Sequence, residues 1–251
     1  MKKLIVALLA LALGLTGFAL AEESGEAVNE KFNTLIEEGS FIIQVDAQGD
    51  LAWQADDMAQ DPSVVQLYDA DTLDGTFVVR YDPVGDGDVT VGVRHFSGAA
   101  CDEVMTWDLH VEDGAVQEVT GGSYAVTVYD EKMDEALVGQ WQEKDTQFTT
   151  LTIEKNPTRG YDVVVVSPVS HGAYVFKTSV LYDCEQNSLV YDKGKFWDID
   201  GEYDGTTELG EARTAGTMGR FAFEGDDENP VLDWYDADGQ QEDILFERAG
   251  E

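Results

Sequence analysis

Short apolar alternations, each closed by a turn rich in Gly, Asp or Pro, run through most of this 251-residue chain. Phe41, Ile43 and Val45 alternate, as do Phe77, Val79 and Tyr81, and then Val89, Val91 and Val93. Met105, Trp107, Leu109 and Val111 form a further row, and Tyr124, Val126 and Val128 close the set. Alternation places every second side chain on one face of a strand, and that face must be buried against another layer. Turn formers separate the rows at Gln48-Gly49-Asp50, Leu73-Asp74-Gly75, Pro83 to Gly87, Glu112-Asp113-Gly114 and Gly121-Gly122-Ser123. Short strands spaced by about ten residues with such turns predict an antiparallel sandwich.

The polar run Tyr129 to Glu135 interrupts the alternation and is taken as a border. A second series follows: Leu137–Gln142, Phe148–Lys155, Tyr161–Val166, Ala173–Tyr182, Ser188–Asp192, Lys195–Ile199, Gly219–Phe223, Val231–Tyr235 and Ile244–Arg248. Hairpin-linked strands in sequence predict an up-and-down meander, and about eight of them can close into a barrel. Gly201–Gly216 has almost no apolar content and is expected to be a mobile loop. Upstream of the first row, Val28, Phe32, Leu35 and Ile36 recur with helical spacing ahead of Gly39, which predicts a short helix. The expected fold is therefore all-β. An immunoglobulin-like antiparallel sandwich over 41–130 is followed by an antiparallel meander barrel over 131–251, with an acidic linker and short helix at 22–40.

The first residues carry a different signal. Lys2 and Lys3 precede an unbroken apolar run, Leu4 to Leu13, and Ala19-Leu20-Ala21 follows. A basic start, a short apolar core and an A-x-A exit predict a secretory signal peptide over 1–21, cleaved after Ala21. The run is shorter than the ~20 residues a membrane span needs, so no membrane insertion is expected. The chain is expected to be secreted or to sit on the exterior of the cell envelope.

Charge narrows the partners. With 15 basic and 51 acidic residues, the net charge is −36. A field of that sign repels phosphate backbones, so no nucleic-acid partner is expected. Between Glu22 and Asp130 the basic residues are Lys31, Arg80 and Arg94, and the rest, Lys2 and Lys3 of the leader aside, lie at Lys132 and beyond. Two cysteines, Cys101 and Cys184, fall on opposite sides of the border. An exported chain permits a bridge between them, provided the Cα atoms come within ~7 Å; otherwise each is a small buried filler.

Catalytic signatures are missing. No G-x-S-x-G, H-E-x-x-H or phosphate-cradling glycine loop occurs, and His95, His110 and His171 stand apart. Asp236-Ala237-Asp238-Gly239 resembles part of an EF-hand loop, but Trp234 and Leu245 occupy required ligand positions. No enzyme activity, metal or cofactor is expected.

The first half resembles the chagasin family, immunoglobulin-like inhibitors of papain-type cysteine peptidases, over about residues 41 to 112. Where the family has N-P-T-T-G-Y-x-W, this chain has Asp46-Ala47-Gln48-Gly49-Asp50-Leu51-Ala52-Trp53. Asp61-Pro62-Ser63-Val64-Val65 stands close to the family's D-P-S-V-L, Gly75-Thr76-Phe77 follows where the family has a Gly-rich loop, and Arg94-His95-Phe96 stands near its R-P-W loop. The resemblance implies three neighbouring loops that enter a peptidase cleft. Their candidate residues are Asp46, Gln48, Gly49, Asp50, Trp53, Gly75, Phe77, Arg94, His95 and Phe96. Asn156-Pro157-Thr158-Arg159-Gly160-Tyr161 is nearer to the first of those motifs but lacks the downstream partners, and a hairpin turn explains it.

The second half resembles a lipocalin-type barrel. Gly139-Gln140-Trp141 opens its first strand as G-x-W does in that family, and Arg248 stands where the family places an Arg over the Trp. The resemblance implies a cation–π contact and a possible site for a small apolar ligand. The leading expectation is a secreted inhibitor of a cysteine peptidase. The alternative is an extracellular small-ligand or surface-binding protein that uses the barrel.

Overall fold

Two separate apolar cores organise the chain. The computed structural model describes residues 31–48, 50, 52–56, 61–120, 122–226, 229–236 and 244–250. The leader at 1–21, Val28, Gly49 and the turn at 237–239 lie outside them. One core draws on Phe32 through Val116, the other on Met133 through Phe246.

The first core lies between two antiparallel sheets. Strands β1 (Phe32–Glu37), β2 (Ser40–Asp46), β4 (Val65–Leu73) and β5 (Thr76–Pro83) form one, ordered β1-β2-β5-β4. Strands β3 (Trp53–Ala55), β6 (Gly87–Ser97), β7 (Ala100–Glu112) and β8 (Ala115–Thr120) form the other in that order, and β9 (Tyr124–Val126) pairs with β7. The alternating rows become their inner faces: Phe41, Ile43, Val45, Phe77, Val79 and Tyr81 meet Val89, Val91, Val93, Trp107, Leu109 and Val111.

The second core fills a closed antiparallel barrel. It runs β10 (Gly139–Glu143), β11 (Thr150–Lys155), β12 (Tyr161–Val169), β13 (Gly172–Asp183), β14 (Ser188–Asp200), β15 (Thr214–Asp226), β16 (Asn229–Asp236) and β17 (Ile244–Arg248). Trp141, Tyr161, Phe176, Phe221, Trp234 and Phe246 are fully buried, so bulky rings occupy its centre. Two predicted runs, Ser188–Asp192 and Lys195–Ile199, prove to be a single strand, β14, whose register with β15 shifts around Gly194. A Cβ there would stand 2.3 Å from Thr217 Oγ1 and 2.5 Å from the Phe176 ring, so only glycine lets the strand pass. Of the expected loop at 201–216, Thr214–Gly216 belong to β15.

The expected helix before the first row is corrected. Phe32–Glu37 is an edge strand paired to β2 from Phe32↔Val45 to Glu37↔Ser40. Glu38 and Gly39 take φ of 52° and 86°, the pattern of a two-residue type I′ hairpin turn. Phe32, Leu35 and Ile36 satisfy a helical count by coincidence. A helix this short has little stability of its own, whereas the hairpin adds a strand to a sheet that needs an edge. Two further strands, β4 and β8, escape the alternation because most of their side chains face outward.

The polar border run is likewise helical. Helix α1 (Glu131–Leu137) begins at Asp130, whose Oδ1 accepts the Met133 N–H at 2.9 Å. Met133 and Leu137 point into the barrel core. The last carbonyls of α1 have no helical partners, and two side chains of the barrel seam take them. Arg248 donates to Val138 O at 2.8 Å and to Glu135 O and Ala136 O at 2.6 Å. Trp141 Nε1 donates to Leu137 O at 3.1 Å. Trp141 pairs with Arg248 across the seam, and the guanidinium lies 4.8 Å from the indole centroid. Gly139 makes room: its φ is +139°, and a Cβ would stand 2.5 Å from Arg248 Nη1.

Gly139→Ala forces a left-handed φ on a residue with a side chain and pushes the guanidinium off three carbonyls. It is expected to destabilise the barrel by about 1–3 kcal/mol, read as a lower urea midpoint with unchanged denaturant slope.

Candidate functional site

Strand register brings the candidate loops of the first half to one end. Asp46 pairs with Thr76 and Val45 with Phe77, so the segment after β2 lies beside the Asp74-Gly75 turn. Trp53 pairs with His95, which brings the end of β6 to the same edge. Asp46, Gln48 and Asp50 are exposed there, and Gly75 and Phe96 are half-buried. A 500 Å³ depression between Lys31, Asp46, Gln48, Asp50, Trp53 and His95 marks this end. Trp53 and Phe77 are core residues rather than docking anchors, and Gly49 lies outside the described residues.

Arg94 reaches the barrel, and His95 is held between two carboxylates of the first half. Arg94 Nη1 stands 3.2 Å from Glu185 Oε2, and its Nη2 3.2 Å from Asp56 Oδ1. His95 is clasped on both sides, with Nδ1 2.5 Å from Asp102 Oδ1 and Nε2 2.9 Å from Asp50 Oδ2. Both ring nitrogens donate to carboxylates only in the imidazolium form. Burial pulls the His95 pKa down, but hydrogen bonds to Asp102 and Asp50 outweigh it and hold it above the ordinary value. The other oxygen of Asp102 accepts Arg159 Nη2 at 2.6 Å, and Arg159 Nη1 donates to Ser97 Oγ at 2.7 Å. A polar chain thus runs Asp50, His95, Asp102, Arg159 from the loop end of the first half to the barrel.

Arg159 reaches this position from the turn first taken as an ordinary hairpin. Asn156 Oδ1 accepts the N–H groups of Thr158 and Arg159, which shapes the β11–β12 connection and presents the guanidinium. Sequence reading missed Asp102 as its partner. The available signal was Asp102 and Glu103 together at the start of β7, two acids that the fold buries.

A second feature lies on the outer wall of the barrel. A groove of 940 Å³ runs across β12, β13 and β14 and is capped by the β6–β7 hairpin tip at Gly98 and Ala99. Val164, Leu181, Val190 and Trp197 supply apolar surface; Lys177, Lys193 and Lys195 supply charge, with Asp162 and Asp192 also on the lining. Asp162 is hydrogen-bonded to Asn156 and Ser179. The row across the wall reads Val164, Lys177, Lys195, Ala215, so two lysines stand directly opposite one another with no acid between them. Like charges at such a position are destabilising. None of the three lysines has an ion-pair partner among the described residues.

Among the described residues, no group of three or more His, Cys, Asp or Glu is placed to hold a metal ion, and no helix is long and apolar enough to cross a membrane. No protein-family model, curated protein or solved structure matches this chain.

The His95 clasp has a definite pH signature. A histidine whose folded pKa is raised stabilises fully below its unfolded value of about 6.5 and loses that contribution as pH rises through the folded value. Asp50 is held below its ordinary value by the Ala52 N–H and then by His95, so it stays ionised across the neutral range. The His95→Gln variant is therefore expected to melt well below the parent at about pH 6, with the gap narrowing by about pH 9. Thermal unfolding of both proteins across that window measures it.

Proposed function

We propose that this chain is an exported binding protein that holds an anionic ligand with an apolar body in the groove on the barrel wall. The single observation that carries this is the Lys177–Lys195 cross-strand pair, set beside Lys193 and Trp197 in a chain of net charge −36. A carboxylate or sulfate between the two ammonium groups removes their repulsion, and Val164, Leu181 and Trp197 cover the apolar part. The barrel interior is filled by its own rings, so a ligand meets the outer wall rather than a central cavity. In this reading the first half is an immunoglobulin-like sandwich and the second a lipocalin-like barrel. The two sheets around one core and the Gly139, Trp141 and Arg248 cluster support those two assignments.

Peptidase inhibition is the second reading. In its favour, the 46–52 segment, the Asp74-Gly75 turn and the end of β6 share one end of the sandwich. Against it, Arg94 and His95 are engaged within the chain, which leaves the first two loops to do the work.

Calorimetric titration with dodecanoate separates the two. Saturable binding is expected, weakened at least about tenfold by Lys195→Glu. The same substitution replaces a repulsive pair by an attractive one and should stabilise the free barrel by about 0.2–1 kcal/mol. Unchanged affinity in that variant sinks the groove reading. For the second reading, the titrant is papain: slowed hydrolysis at micromolar protein supports inhibition, and full activity excludes it for that enzyme class.

A further inference from the structure

We infer that Cys101 and Cys184 are the two halves of a disulfide that ties the sandwich to the barrel. The cysteines lie 83 positions apart and in different halves, yet the Cys184 N–H donates to the Cys101 carbonyl at 2.9 Å. The two thiols also lie within hydrogen-bonding reach of each other, so closing the bond asks only that the Cα atoms settle within the ~4.4–6.8 Å that a disulfide spans. The neighbouring backbone is fixed on both sides. The Cys101 N–H donates to Asp183 Oδ2 at 2.9 Å, the Tyr182 N–H donates to Tyr129 Oη at 3.0 Å, and Thr127 Oγ1 donates to Tyr182 O at 3.4 Å. Tyr182, Asp183 and Cys184 are thus each hydrogen-bonded to the first half, and no domain movement is needed to bring the sulfurs together.

Both side chains are buried and carry free thiols, and the Cys101 thiol donates to Glu103 O at 3.7 Å. Each is the other's neighbour: the Cys184 thiol and burial push the Cys101 thiol far above its ordinary value. In the docked state Cys101 therefore stays protonated and unreactive, so the bond forms while the halves are still closing. The oxidant is a low-molecular-weight or protein disulfide of the exterior compartment. One cysteine thiolate attacks it, forming a mixed disulfide and releasing one thiol. The second cysteine then displaces the second thiol. The chain loses two electrons and two protons, and the oxidant's S–S bond is reduced to two thiols. A metal site is the competing use of a cysteine pair, but two sulfurs fall short of the four ligands a closed zinc site takes.

The inference rests on the export reading for its oxidant, and the experiment keeps the two apart. The purified chain is reduced, unfolded and refolded in a mixture of oxidised and reduced glutathione, then denatured and treated with iodoacetamide. The expected product is unlabelled, lighter by two hydrogens, and yields one peptide pair joined through Cys101 and Cys184. Reduction should lower its unfolding midpoint by about 5–15 °C, whereas the Cys101→Ser/Cys184→Ser variant should not respond to reductant. Labelling of both cysteines after refolding overturns the bond. A bond in the refolded chain but not in the chain recovered from its own host supports the pairing and overturns export.

Discussion

Two buried carboxylates, Asp102 and Asp183, bond across the joint between the two halves of this molecule, and a third, Glu103, is buried beside them. Asp102 and Glu103, at the start of β7, and Asp183, at the end of β13, are all nearly inaccessible to water. An unpaired charge at such a site costs several kcal/mol, and none of the three is unpaired. Asp102 meets His95 and Arg159. Glu103 accepts Lys31 and the Tyr124 hydroxyl. Asp183 accepts the backbone N–H groups of Cys101, Glu185 and Gln186. In a chain this acidic, cations are scarce, and the fold commits Lys31, Arg94 and Arg159 to the region around this joint. Separating the halves would cost Asp102 its Arg159 and Asp183 the Cys101 N–H, and it would uncover the Val104 and Ala125 side chains that pack against the barrel core, so polar and apolar contacts together set how the halves meet.

That commitment shapes what each surface is free to do. Arg94 and His95 would be the cationic part of a docking edge if they faced outward. Here Arg94 reaches the barrel and His95 is held between two carboxylates of the first half, and the exposed part of the same edge is acidic, with Asp46 and Asp50. Three cations without ion-pair partners among the described residues, Lys177, Lys193 and Lys195, share the barrel wall, where Lys177 faces Lys195. Elsewhere the chain pairs its charges across strands and loops, as in Lys155 with Asp134 and Arg213 with Asp198. Lys177 has the Tyr203 ring 5.2 Å from its Nζ, but Lys195 has no ion-pair partner among the described residues, and sites where a local rule is broken are where function is expected to reside.

How much of this was legible depends on whether a residue's neighbours in sequence are also its neighbours in space. The inner faces of β2, β5, β6 and β7 were plain because alternation is a local record of a buried face. Gly139, Trp141 and Arg248 were picked out by resemblance to a known G-x-W pattern and not by alternation, and β10 and β17 do bring Trp141 opposite Arg248. β1 was misread because six residues of a half-exposed edge strand carry too few periods to separate a spacing of two from one of 3.6. Helix α1 was hidden because only Met133 and Leu137 of its seven residues are buried. The Asp102–Arg159 contact was out of reach, and for Cys101 and Cys184 a bridge stood only as one of two alternatives, since nothing local records which loop of one half meets which strand of the other.

The joint and the groove are physically coupled. The hairpin tip that caps the groove, at Gly98 and Ala99, is followed directly by Ala100, Cys101 and Asp102, and Ser97 just before it accepts Arg159. Arg159 itself stands on the groove lining and on the joint at once. Any ligand carboxylate drawn toward the lysines therefore competes with Asp102 and Ser97 for the same guanidinium, or is kept from it by them. Because Asp102 is nearly buried and Arg159 is its partner from the barrel, the second outcome is favoured: releasing Arg159 would leave one oxygen of a buried carboxylate unpaired, with His95 holding only the other, whereas Lys193 and Lys195 lose nothing by turning to an anion. The architecture thus sorts its cations into those that hold the halves together and those that remain free to bind.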